Sequence, residues 1–99
     1  MARYISAVQY GENYKGNKVI EKVKVHCDEY GIFPSIPWSR EKVITELKNG
    51  VTIKTLVRAP SGRFVIGADV QKVKINNTEY IRTDGNKTES DNLGELPSF

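Results

Sequence analysis

Cysteine is nearly missing from this 99-residue chain: Cys27 stands alone, so no internal disulfide forms, and a reducing, cytoplasmic setting is expected. Histidine, tryptophan and methionine are single as well. With one histidine and no Cys-x-x-Cys pair, a zinc site of ordinary spacing is excluded, and no metal or cofactor is expected. Neither Gly-x-Ser-x-Gly, a P-loop nor Gly-x-Gly-x-x-Gly occurs, which removes the common sequence signatures of hydrolases and nucleotide-dependent enzymes. No apolar run approaches the roughly 18 residues of a membrane-spanning helix. A basic segment followed by an apolar stretch is lacking at the start, so no secretory signal is expected.

What is present fits one domain. Apolar residues make up 38% and charged residues 27%, which suits a globular chain and not a disordered one. Charge is unevenly spread. Residues 84–99 carry a net −3 and residues 1–83 a net +6. A basic body with an acidic tail implies an anionic partner or a tail that folds back onto the body.

Alternation in Tyr4–Tyr10 predicts a first strand, and the Gly11–Asn17 cluster predicts a turn. Residues 19–27 alternate again. Val23, Val25 and Cys27 are expected inward, with Lys22, Lys24 and an exposed His26 outward, in a hairpin with the first strand. Pro34 and Pro37 exclude a regular helix or a central strand from residues 28–38, which read as an apolar connection plugging one end of the core. Ser39 is placed to cap a helix over residues 40–48, Trp38 to staple onto Val43, and Asn49-Gly50 to end the helix.

Residues 51–57 predict a third strand, and Ala59–Gly62 a turn. Arg63–Ile66 predicts a short strand broken near Gly67. Asn76-Asn77 joins two further strands through a type I′ turn, setting Lys74 opposite Glu79 and Val73 opposite Tyr80. The order is β-β-α-β-(β)-β-β. The fold class is α+β, a strongly bent antiparallel sheet or small open barrel of about five strands with one short helix. Leu93, Leu96 and Phe99 recur every third residue and are expected to dock the tail.

Tyr80-Ile81-Arg82-Thr83-Asp84 followed by Ser90-Asp91-Asn92-Leu93-Gly94-Glu95-Leu96-Pro97 resembles the ending of a family of small bacterial and phage proteins of unassigned function. The Trp38-Ser39-Arg40-Glu41 and Gly67-Ala68-Asp69-Val70 segments are similar too. The resemblance implies a small α+β domain, and it brings no activity, ligand or site residue.

Candidate chemistry must therefore come from the residues. His26 and Cys27 are neighbours on a strand and so face opposite sides, which keeps them out of one site. Asp84 and Asp91 frame the tail loop. Such residues more often satisfy backbone amides or pair with an arginine such as Arg82 than hold a cation. Arg58 and Arg63 flank the Ala59–Gly62 turn, with Lys54 on the same strand as Arg58. Two guanidiniums beside turn amides suit a phosphate or carboxylate, although a solvated basic hairpin end is the simpler explanation of them.

Tyr14 and Trp38 supply rings on which a base stacks. The expected function is non-catalytic capture of an anionic, nucleotide-like small molecule. Its ligand set is Arg58, Arg63, Lys54, Tyr14, Trp38 and Arg82. Lys22, Lys24, Lys72 and Lys74 support an alternative, nucleic acid binding through a basic sheet face, and an exposed strand edge supports a protein-binding adaptor. Association with a second copy through exposed edges is also open.

Overall fold

The computed structural model describes residues 2–28, 34–84, 90–94 and 96–99. Seven strands and one helix follow in the order β1 (Ala2–Glu12), β2 (Lys18–His26), β3 (Ile36–Ser39), α1 (Arg40–Lys48), β4 (Thr52–Arg58), β5 (Phe64–Asp69), β6 (Gln71–Ile75) and β7 (Thr78–Arg82). They form a five-stranded sheet ordered β3-β2-β1-β4-β5 and a two-stranded sheet β6-β7. The class is α+β, and the barrel is not closed. The larger sheet is mixed, because β1 and β4 run parallel over Ala2–Ile5 while its other pairings are antiparallel. Alternation reports which face a residue takes and not the direction of its neighbour, so this parallel pairing is invisible in the pattern.

The core lies between one face of the larger sheet and a layer of helix, β6-β7 hairpin and tail. Ile5, Val8, Ile20, Val23, Val25 and Ile53 from the sheet meet Val43, Val70, Ile81, Leu93 and Leu96. Helix α1 forms where expected: the Ser39 hydroxyl accepts from the Lys42 N–H at 3.2 Å, and Asn49 closes the other end before Gly50 at φ +84°. Val43 is fully buried, with Trp38, Ile44 and Leu47 packed against the same cluster. Asn76 and Asn77 take φ 49° and 65°, and the register Val73–Tyr80 and Lys74–Glu79 is as the type I′ turn requires.

Two bulges rewrite the faces of the first hairpin. Tyr10 pairs with Ile20 and Gln9 with Lys22, so Glu21 is the extra residue in β2 and Ile20 turns inward. Ile5 pairs with Val25 and Ala7 with Lys24, which leaves Ser6 as the extra residue in β1. His26 keeps its expected face, opposite Val23 and Val25, yet that face is covered where the Phe64 ring approaches, and the residue is buried at 7% exposure; Cys27, expected inside, lies past the end of β2 and is exposed. The insertion at Glu21 brings Ile20 into the core with Val23 and Val25, and nothing in the alternation marks where such an insertion falls.

Two further expectations change. Ile36–Ser39 is an edge strand on β2 and not part of an apolar plug, with Pro37 opposite Lys24; residues 29–33 lie outside the described set. The strand after the Ala59–Gly62 turn continues through Gly67 to Asp69 instead of breaking there. Leu56 faces Ile66 while Lys54 faces Asp69, so Gly67 and Ala68 together oppose Thr55. The Thr55 hydroxyl accepts from the Ala68 N–H at 2.9 Å and completes this bulge.

The larger sheet is strongly curled. Strands β2 and β5 are three spacings apart, roughly 14 Å in an uncurled sheet. Yet the rings of His26 and Phe64 lie with centroids 5.8 Å apart. Leu56 and Ala7 are buried outside the main core cluster, consistent with a second, smaller contact under the β4–β5 hairpin.

Candidate functional site

The residues expected to bind a ligand separate into four places. Tyr14 stands 90% exposed on the β1–β2 turn, where the Asn13 Oδ1 accepts from Lys15 and Asn17 amides and Gly16 takes φ +78°. It overhangs a depression of about 440 Å³ lined also by Glu21, Arg40, Glu41 and Thr78. Trp38 is half-buried on β3 at the helix start, with the Lys42 ammonium 5.3 Å from its ring centre.

Arg82 is corrected most strongly: it is buried and its guanidinium is spent on the tail. Nε and Nη2 donate to Asp84 at 2.7 and 3.2 Å, and Nη1 to the Ser90 carbonyl and hydroxyl at 2.7 and 3.1 Å. A ligand cannot use donors that are already committed and covered.

Arg58, Arg63 and Lys54 remain at the β4–β5 hairpin, but they do not converge. Arg58 pairs in register with Phe64, one residue beyond Arg63, so the two guanidiniums leave the hairpin on opposite faces. Arg58 stacks over Phe64 at 4.5 Å and donates to the Gly62 carbonyl at 2.9 Å. Lys54 sits 3.5 Å from Asp69, which the bulge has turned to the same face. Arg63 is exposed, and no described side chain holds its guanidinium.

The four lysines of the expected basic face are divided too. Lys22 and Lys24 belong to the larger sheet and Lys72 and Lys74 to the smaller one, with Lys72 3.5 Å from Glu79. Glu79 also meets Lys48 at 3.3 Å. Burial works upward on its carboxyl, yet the hydrogen bonds and charges of Lys48 and Lys72 outweigh that and hold it below its ordinary value. Among the described residues no group of three or more His, Cys, Asp and Glu side chains lies close enough to hold a metal ion.

Tail residues hold the body together. Asp91, expected to satisfy backbone amides, does so at long range. It is fully buried and accepts from the Ile20 and Ile81 N–H groups, each at 2.7 Å, and from Arg40 Nε at 2.7 Å and Nη2 at 3.2 Å. Arg40 Nη2 also donates to the Glu79 carbonyl. The Leu93 N–H donates to the Tyr10 hydroxyl at 3.0 Å, and the Val8 N–H to the Pro97 carbonyl at 3.0 Å. Leu93 and Leu96 are buried, whereas Phe99 stays partly exposed with the Lys24 ammonium 5.0 Å from its ring.

A model of the family described as a protein of unknown function (DUF3892) matches residues 4–97. The chain belongs to that family. The match takes in both sheets, the helix and nearly all of the tail, so the docked tail is part of the family's own span. Neither a curated protein nor a solved structure matches the chain.

Sequence reasoning expected a short strand at Arg63–Ile66 but did not single out its edge as the exposed one. β5 closes one side of the larger sheet, every residue of Val65–Asp69 is exposed, and among the described residues no strand pairs with its outer edge. Val65 at 48% and Val57 at 39% exposure pair on one face of β4 and β5, and Ile66 at 43% exposure stands on the other. The signal was readable: Phe64-Val65-Ile66 lacks the lysines and prolines with which natural sheets guard an edge.

The Ala59 N–H donates to the Arg63 carbonyl at 2.8 Å, which makes that pair a bonded rung. Rungs alternate in an antiparallel ladder, so Val57–Val65 is the next bonded rung, and Phe64 and Ile66 turn their N–H and C=O groups outward.

Proposed function

We propose that this chain is a protein-binding module that takes an extended segment of a partner onto the open edge of β5. The observation that carries the reading is the combination of outward amides at Phe64 and Ile66 with exposed valine and isoleucine side chains on both faces of the same strand. Strand addition uses both features: backbone hydrogen bonds supply affinity and alternate side chains supply selectivity. At the opposite side of the sheet β3 is four residues long and contains Pro37, which makes it the poorer acceptor.

The fold is suited to presenting such an edge. The tail, the helix and the β6-β7 hairpin bury one face of the sheet, and β4 anchors β5 through a closed turn with Gly62 at φ +88°.

Ile66→Pro tests the reading. It removes an outward N–H and leaves the β4 ladder intact, so the melting temperature is expected to hold. A displayed library of ten-residue peptides is selected in parallel on the wild type and on Ile66→Pro. Sequences should enrich on the wild type only. Equal enrichment on both proteins would refute strand addition. So would selective uptake of nucleotides or nucleic acid with no peptide enrichment.

A further inference from the structure

Resting on that reading, we infer the chemistry of the partner: an extended segment with an acidic residue followed, at the second and fourth positions in either direction, by two aliphatic residues. The alternation of β5 places Arg63, Val65 and Gly67 on one face, the face of Val57, since Val57 pairs with Val65. Along that face lies an apolar groove of about 290 Å³ lined by Val57, Gly67, Ala68, Thr83, Leu93 and Leu96, among others. A strand laid beside β5 presents alternate side chains to the same three positions.

Each position selects differently. Arg63 is an exposed cation with no described partner, so the residue across from it is carboxylate. Val65 favours a β-branched neighbour. Gly67 has no side chain, and a Cβ there would collide with the Thr55 hydroxyl. The Thr55 hydroxyl fills that position, and the groove alongside, between Val57, Ala68 and the tail leucines, admits a longer aliphatic chain from the guest. The groove is bounded by Leu93 and Leu96, so the docked tail builds one wall of the specificity pocket.

The same geometry disfavours a second copy as the occupant. An antiparallel copy that uses the outward groups of Phe64 and Ile66 is centred on Val65, which sets Arg63 against Gly67 of the other copy. Asp69, the one acid on β5, is turned by the bulge to the Lys54 face and cannot answer Arg63.

Three seven-residue peptides test the inference by NMR on the full chain: Thr-Glu-Thr-Val-Thr-Leu-Thr, its reversed sequence, and a version with Lys replacing Glu. One or both acidic peptides are expected to shift the Phe64 and Ile66 amides and to bind about fivefold or more tightly than the Lys version. Arg63→Glu should reverse that preference, and Ala68→Leu should fill the groove and reject leucine while still accepting a peptide with alanine in its place. All peptides binding equally, with binding lost in Ile66→Pro, would overturn the partner chemistry and leave strand addition standing. No shift at either amide would overturn both. Protection of these amides that grows with protein concentration and without peptide would make the occupant a second copy and overturn the inference.

Discussion

Arg40 Nε lies 2.7 Å from Asp91 Oδ2, and this ion pair ties the start of the helix to the tail while the same carboxylate receives amides from β2 and β7. Four segments distant in sequence meet on one buried group. Removing Arg40 leaves the fully buried Asp91 carboxylate without its counter-charge, and removing Asp91 leaves the Ile20 and Ile81 amides without their acceptor.

Asp91→Ala is accordingly expected to cost about 3–5 kcal/mol, the range for breaking a buried pair. Domain stabilities are only about 5–15 kcal/mol, so this one change brings the fold close to failure. Arg40→Ala should cost a similar amount, and the double variant less than the sum, because both remove the same interaction. Urea unfolding of the four proteins measures the coupling. Additive costs would show that the pair is not a unit.

Glu79 gives a signed pH dependence. Its folded carboxyl is held below the ordinary value despite burial, by Lys48 and Lys72. A depressed value means that the contribution is present above the unfolded carboxylate range and is lost as pH falls through the folded value. Wild type and Glu79→Gln should therefore differ in stability at neutral pH and converge in acid. A gap of constant size from neutral to acid would contradict the ion-pair origin.

Tyr10 predicts the opposite limb. Burial raises its hydroxyl above the ordinary value; the Leu93 N–H pulls it back, the Asp91 charge adds to the rise, and Arg82 opposes it. A raised value means stability that is present below the unfolded value and is lost as pH climbs through the folded one. Ultraviolet titration should show one late phenolate transition that is absent from Tyr10→Phe. That variant should also lose about 1 kcal/mol with the Leu93 hydrogen bond.

Local structure was legible wherever one residue type answers one backbone demand. Ser39 caps the helix, Asn49-Gly50 ends it, and Asn76-Asn77 turns the last hairpin, since each satisfies a steric or hydrogen-bonding need within a few residues. The faces of β2 were misread for a reason of scale. The bulge at Glu21 depends on how two strands match and turned Ile20 inward, while the curl of the sheet brought Phe64 beside His26 and buried a residue that shares a 2.7 Å hydrogen bond with Ser6. The candidate site shows the same division. Arg58 and Arg63 stand out in sequence, but the register sends them to opposite faces.

Composition and periodicity by themselves determined an α+β chain with one helix, the positions of most strands and a tail able to dock, because propensities, caps and turns act over a handful of residues. The tertiary structure alone decided that β1 and β4 run parallel, that Asp91 rather than a body residue receives Arg40, and that β5 is left with an open apolar edge. Those outcomes depend on which segments become neighbours, and that is set by simultaneous burial of all the apolar faces, a condition that no local stretch of sequence contains.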